Sequence, residues 1–165
     1  MPALTRISPC LWFDSEAEDA AKYYTGIFKN SKITTISRYG EAGREIHGRP
    51  PGSVMVVAFE LDGVLFTGLN GGPIFKFNEA ISLQVYCDTQ QEIDDYWEKL
   101  GAGGDPGAQQ CGWLKDKYGL SWQIVPRSME AMFQGEATDA SNRAMAAMLT
   151  MKKIDVAELD RAFRG

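Results

Sequence analysis

The stretch Leu11-Trp12-Phe13-Asp14-Ser15, continuing from Glu16 to Tyr24, constrains this chain more than any other. It is written a second time as Val85-Tyr86-Cys87-Asp88-Thr89, continuing from Gln90 to Trp97. In both copies an alternating apolar stretch runs into an acidic residue, a hydroxyl residue and a helical pattern that closes on paired aromatics. That is a half-buried strand, a helix N-cap and an amphipathic helix, twice. The offset is 88 − 14 = 74 residues, longer than a solenoid unit, so the duplication implies two half-domains rather than an array. A chain of 165 residues can hide about 70 % of its unfolded surface, enough for a proper core.

Each half reads as strand, helix, then strands closing in a glycine hairpin. The first strand spans about Ile7 to Phe13 and its twin Ile81 to Cys87. In the twin, Ile81, Leu83 and Val85 fall on one face and Ser82, Gln84 and Tyr86 on the other. The same parity sets Ile7, Leu11 and Phe13 against the first helix and turns Ser8, Cys10 and Trp12 away from it. Asp14 or Ser15 caps that helix, which runs to about Phe28 with Ala20, Tyr23, Tyr24, Ile27 and Phe28 at core spacing. Lys32 to Tyr39 is a second strand. Gly40 to Gly52, which holds the lone His47, is expected as a long mobile connection with a solvated imidazole.

Ser53 to Leu61, Asp62-Gly63 and Val64 to Leu69 form a hairpin signal, since Asp-Gly supplies the positive φ angles of a tight turn. Cys111 to Lys117, Tyr118-Gly119 and Leu120 to Val125 repeat it. The third strand of the second half is poorly marked, because Gly101 to Gly107 is mostly breaker residues. Helices follow over Arg127 to Gln134, Asp139 to Met151 and Val156 to Phe163, the last with an Asp155/Glu158 capping box. Met129, Met132, Met145, Met148 and Met151 suggest a deformable apolar surface.

Composition narrows the function classes. Hydrophobic residues at 44 % and charged residues at 24 % argue against disorder. A net charge of −5 without a basic stripe argues against nucleic acid. No apolar run approaches the roughly 20 residues of a membrane span. Met1 to Arg6 has no leader pattern, so a cytoplasmic protein is expected. Cys10, Cys87 and Cys111 lack CxxC spacing and read as reduced thiols. Cys10 has no histidine base beside it to make it a nucleophile. Asp94-Asp95 and Glu16/Glu18 are explained as helix-surface charge. What remains is a candidate ligand pocket of amides among aromatic walls: Trp12, Gln84, Tyr86, Trp113 and Gln123, with Cys10 on the same side as Trp12, Thr67 as a further candidate and Asn70 at the rim.

The pattern, together with Leu69-Asn70-Gly71-Gly72-Pro73, Phe75-Lys76-Phe77-Asn78, Cys111-Gly112-Trp113-Leu114-Lys115-Asp116 and Ser121-Trp122-Gln123-Ile124-Val125-Pro126, resembles the PhnB-like branch of the vicinal oxygen chelate superfamily. That is the group of glyoxalase I, bleomycin-resistance proteins and extradiol dioxygenases. The resemblance implies an α+β fold of two βαβββ modules forming a cupped mixed sheet. Its expected boundaries are a single domain with modules over 5–72 and 78–127 and a helical extension over 128–165. It further implies a homodimer and an inherited label, 3-demethylubiquinone-9 3-methyltransferase. The superfamily's metal enzymes place His, Gln or Glu ligands on the first and last strands of each repeat. Those positions correspond here to Arg6/Ser8, Thr67, Ala80/Ser82 and Gln123, and only Gln123 is a ligand type. One amide with hydroxyls is a poor set for a divalent ion, so no tightly bound metal and no cofactor are expected. S-adenosylmethionine usually calls for a glycine-rich strand-to-helix turn, whereas Gly68 to Gly72 leads into Pro73. The expected function is metal-free binding of a small molecule. The alternatives are a metal-dependent lyase, isomerase or dioxygenase, and then the methyltransferase of the label.

Overall fold

A computed structural model describes residues 6–165; the leaderless reading of Met1 to Thr5 and the first module's start at residue 5 lie outside the described residues. The chain divides into two compact units between Lys76 and Phe77.

In the first unit the elements are β1 (Cys10–Phe13), α1 (Ala17–Ile27), β2 (Lys32–Arg38), a short α2 (Arg44–His47), β3 (Val54–Leu61) and β4 (Val64–Asn70). The strands lie in the order β1-β4-β3-β2, with β1 parallel to β4 and the other pairs antiparallel. Cys10 pairs with Thr67 and Trp12 with Leu69, so these four side chains share one face, while Leu11, Phe13, Gly68 and Asn70 share the other. The second face carries α1. Ala17, Ala20 and Ala21 are small enough to bring the helix close, and buried Tyr24 stacks at 6.4 Å on Phe59, which stacks at 5.6 Å on Phe66. Truncating a fully buried aromatic such as Tyr24 typically costs about 3–5 kcal/mol.

Three local expectations change. β1 begins at Cys10 rather than Ile7, because Pro9 has no N–H for a ladder and offers only its carbonyl, to the Thr67 N–H at 3.0 Å. Ile7 is therefore 90 % exposed and not packed on α1. Neither Asp14 nor Ser15 caps α1. Glu16 holds the N-cap position without a side-chain bond, and Asn70 Oδ1, arriving from β4, accepts the Ala17 N–H at 2.8 Å. The connection after β2 is not a loose one. Tyr39 and Ser53 close its base (Tyr39 N–H to Ser53 O, 2.9 Å), α2 folds inside it, and His47 lies 4.4 Å from the Tyr39 ring. His47 Nδ1 accepts the Arg49 N–H at 3.0 Å and Nε2 faces the Ala42 carbonyl at 3.2 Å, so the imidazole is held rather than merely solvated. The Asp62-Gly63 turn forms as its sequence requires, with φ of 47° and 80°.

The second unit runs β5 (Ser82–Cys87), α3 (Gln90–Gly101), a 3-10 turn at Pro106–Ala108, β6 (Trp113–Lys115), β7 (Ser121–Pro126), α4 (Met129–Met132), α5 (Asp139–Met148) and α6 (Val156–Arg164). Its sheet has the order β5-β7-β6, with β5 parallel to β7 and β6 antiparallel. The succession repeats the first unit less one strand: among the described residues nothing occupies the place of β2. The glycine-rich stretch after α3 is the cause. Gly104 passes so close to β6 that a Cβ there would lie 2.0 Å from the Lys115 carbonyl oxygen. Thr89 caps α3 by accepting the Glu92 N–H at 3.2 Å, while Glu92 accepts the Asp88 N–H at 2.7 Å. Ile93 and Leu100 of α3 are fully buried, as are Leu114 and Ile124 of the sheet it packs on.

β6 is shorter than the expected Cys111 to Lys117 because Cys111-Gly112, with φ of 51° and 84°, makes a second two-residue turn between Gln110 and Trp113. The amides of this turn are taken by the chain that follows α5: Cys111 N–H donates to Met151 O at 2.8 Å and Gly112 N–H to Lys152 O at 2.7 Å. Gln90 of α3 grips the same segment, donating to Ile154 O at 3.0 Å and accepting the Val156 N–H at 2.9 Å. Two of the last three helices are shorter than expected. Thr138 and Ser141 form a reciprocal capping box on α5, and Asp155 accepts the Glu158 N–H at 2.9 Å. Their core is Ala144, Met151, Ile154 and Leu159, with Met129, Met132, Met148 and Phe163 packed against it. The methionines thus mainly fill this core; Met145, at 39 %, is the exposed one.

Candidate functional site

On β5-β7-β6 the register sets Gln84 beside Gln123 and Gln123 beside Trp113, with Ser82, Ser121 and Lys115 as the next row on the same face. Tyr86 and Val125 follow on the other side of Gln84 and Gln123. Four of the eight residues singled out in the sequence, Gln84, Tyr86, Trp113 and Gln123, therefore come together. Tyr86, Gln84 and Gln123 form a linked polar chain that ends on Ser82. Tyr86 Oη donates to Gln84 Oε1 at 2.9 Å, Gln84 Nε2 reaches Gln123 Oε1 at 3.5 Å, and Gln123 Nε2 donates to Ser82 Oγ at 2.8 Å. The 3.5 Å contact is at the weak limit of a hydrogen bond, so these two amides are readily re-partnered. Arg127 lies 5.9 Å from the Tyr86 ring centre and pairs with Asp88 at 3.0 Å.

In the first unit Cys10, Trp12 and Thr67 share the face away from α1, as their parity requires. Trp12 is already committed: its indole N–H donates to Gly72 O at 2.8 Å and its ring meets Phe75 edge-on at 4.9 Å. Gly71 is pressed on the indole so closely that a Cβ would lie 2.2 Å from it. Asn70 stands apart from these three, on the α1 face, 5 % exposed. Its Oδ1 holds the start of α1, its Nδ2 donates to Val54 O at 3.1 Å, and its carbonyl accepts from Tyr39 Oη at 2.6 Å. Asn70 also lines a cleft of about 220 Å³ with Ser15, Glu18, Asp19, Arg49 and Ser53. Arg49 is not free there, because its guanidinium pairs with Asp14 at 3.1 Å. A hydrogen bond from Lys22 holds the Glu18 carboxyl below its ordinary value.

The positions where the superfamily's metal enzymes carry ligands hold neutral oxygens in this chain. Ser8 Oγ donates to the Leu65 carbonyl at 2.8 Å, Thr67 and Ser82 are hydroxyls, and Gln123 is an amide donating to Ser82. Among the described residues no three His, Cys, Asp or Glu side chains gather as a metal-holding group. This donor set does not fit a divalent ion. Of the thiols, burial pushes Cys87 up to about 12, while Cys10 is exposed and Cys111 half-buried.

In the sequence Ser121 lacks a base to make it a nucleophile, and Asp116 was assigned no role. Asp116 is 2 % exposed and ties the β6–β7 turn: its carboxylate accepts the Tyr118 N–H at 2.8 Å, the Leu120 N–H at 3.1 Å and the Trp122 indole N–H at 2.8 Å. An Asp three residues before Gly119 is a turn signal, so this role was readable. Ser121 is 1 % exposed and its hydroxyl has no hydrogen-bond partner among the described residues. No helix among the described residues is long and apolar enough to cross a membrane.

The 3-demethylubiquinone-9 3-methyltransferase family model matches residues 5–125. A PhnB protein from Bacillus cereus, whose structure carries the same methyltransferase name, is 36 % identical; the match covers 74 % of this chain and 99 % of that one, with a TM-score of 0.62. Two more distant structures share the fold. A Pseudomonas aeruginosa protein is 15 % identical over 74 % of this chain and 98 % of its own, with a TM-score of 0.57. The fosfomycin resistance protein FosX from Listeria monocytogenes is 13 % identical over 81 % and 99 %, with a TM-score of 0.53. No curated protein matches the chain. The family model and the Bacillus cereus relative, on a chain of two such related units, place it in one family: the chain belongs to the 3-demethylubiquinone-9 3-methyltransferase family, the PhnB-like branch of the vicinal oxygen chelate superfamily.

Proposed function

We propose that this chain is a small-molecule binding protein that takes its ligand on the Gln84–Gln123–Trp113 face without a divalent ion, and that it works as a cytoplasmic homodimer. The observation that carries the reading is the pair of neighbouring amides, joined by a contact of 3.5 Å and flanked by Tyr86 and Trp113. Amides offer both donors and acceptors, and aromatic walls supply apolar contact without charge, the usual make-up of a small-ligand site. The neutral donors at the metal positions count against the lyase, isomerase and dioxygenase chemistries of the superfamily. The methyltransferase name finds little support in the strand-to-helix turns, which read Asp14-Ser15-Glu16 and Asp88-Thr89, acidic and without glycine. An S-adenosylmethionine carboxylate would meet carboxylates there.

Tryptophan fluorescence titrated against a library of aromatic compounds tests the proposal. Saturable quenching is expected, weakened about tenfold by Gln123→Ala, the worth of one buried hydrogen bond. Stoichiometric uptake of Zn²⁺, Ni²⁺ or Fe²⁺ that disappears in Gln123→Ala would replace it with the metal-enzyme reading. Calorimetric heat on adding S-adenosylmethionine would restore the methyltransferase.

A further inference from the structure

We propose that Ser82, Ser121 and Lys115 form a seat for a single carboxylate group of the ligand, held in reserve by the carboxylate of Glu79. This rests on reading the sheet face as a ligand site. The three residues face one another across β5, β7 and β6 in register, Ser82 opposite Ser121 and Ser121 opposite Lys115. Side chains in such cross-strand positions are close enough to share one small group. Ser82 Oγ is already an acceptor, from Gln123 Nε2, which leaves its own proton to give. The Ser121 hydroxyl is buried and unpartnered, a state that native structures rarely tolerate without a role. Lys115 Nζ pairs at 2.5 Å with Glu79 Oε1, and Glu79 is 63 % exposed, so its carboxylate can leave for water while the lysine, 24 % exposed, stays.

The row therefore offers two hydroxyl protons and one ammonium to whatever replaces Glu79. A carboxylate answers all three, since it brings one negative charge and about four lone-pair sites on two oxygens. A dianionic phosphate would ask for more than one cation. With the amides and Trp113 in the adjoining row, the ligand class is a planar or aromatic carboxylic acid. The hydrogen bond from Lys115 holds the Glu79 carboxyl below its ordinary value, the same pairing a ligand carboxylate would make with that ammonium.

Titration of the full chain with benzoate and with its neutral isostere benzamide, followed by tryptophan fluorescence, tests the seat. Benzoate is expected to bind about tenfold tighter than benzamide, as a charge-assisted contact implies, and Lys115→Met to erase that difference. Ser121→Ala should weaken benzoate about three- to tenfold and leave benzamide unchanged. Glu79→Gln should tighten benzoate, because its competitor is gone. Equal binding of the two probes overturns the seat and leaves the ligand face standing. A Ser121→Ala variant that gains thermal stability with benzoate affinity unchanged also overturns it, since the hydroxyl would then be only a buried group. If library compounds bind through Gln123 while benzoate does not bind at all, the seat fails alone; if nothing binds, both readings fail.

Discussion

Asn70 ties α1 to β3 from a buried position in the first unit. Its amide satisfies the first N–H of α1 and a carbonyl at the start of β3, from a site almost closed to water. Asn70→Ala should destabilise the chain by about 2–4 kcal/mol, because a helix amide and a strand carbonyl lose their partner together. Asn70→Asp keeps the acceptor for Ala17 and should cost less, a ranking that urea unfolding midpoints would check. The thiols give a second test. Cys87 is pushed up to about 12 by burial first and by the nearby Glu92 and Asp88 carboxylates next, so it stays protonated at pH 8. Cys10 should react with a thiol reagent in the native state and Cys87 only after denaturation, which labelling followed by peptide mass analysis would show. Asn70 was legible as a turn or rim residue and not as a cap, because its partner Ala17 lies 53 positions away and no local pattern links them. The parity that places Gln84 with Tyr86, and Cys10 with Trp12, was readable directly, since alternation in a strand needs no distant information.

At the level of elements, the doubled strand-helix pattern was legible because each copy contains its own period, caps and turn. Boundaries shifted wherever a single residue overruled the period: Pro9 shortened β1 and the Cys111-Gly112 turn shortened β6. The second half was expected as a full βαβββ module and has one strand fewer among the described residues, since Gly101 to Gly107, already poorly marked as a strand, cannot sustain a ladder. The tie between α3 and the segment after α5 was invisible, being a matter of Gln90 meeting chain more than sixty residues on. That tie includes an ion pair, Lys153 with Asp94 at 2.7 Å. The hydrogen bond from Lys153, then that from Gln90, holds the Asp94 carboxyl below its ordinary 3.8. A carboxyl depressed in the folded state adds stability above its unfolded value and loses it as pH falls through the folded one. Unfolding free energy measured from pH 6 down to pH 2 should therefore fall less steeply below about pH 4 in Asp94→Asn than in the parent chain. Because the pair is part-exposed, high salt should shrink the difference between the two.

For the molecule as a whole, composition set the class and the duplication set the architecture. Light scattering should report twice the chain mass of 18.2 kDa if the proposed homodimer forms, and a mass of one chain would remove that part of the proposal. The Asp62-Gly63 and Cys111-Gly112 turns also differ in how self-sufficient they are. The Asp62-Gly63 turn is finished by residues that precede it or follow at once, while the Cys111-Gly112 turn takes two carbonyls from Met151 and Lys152, about forty positions later. A chain emerging from the ribosome N-terminus first meets these demands in that order. The leading half can close its sheet by Asn70, whereas the Cys111 and Gly112 amides find their carbonyls only once the chain has reached Met151 and Lys152.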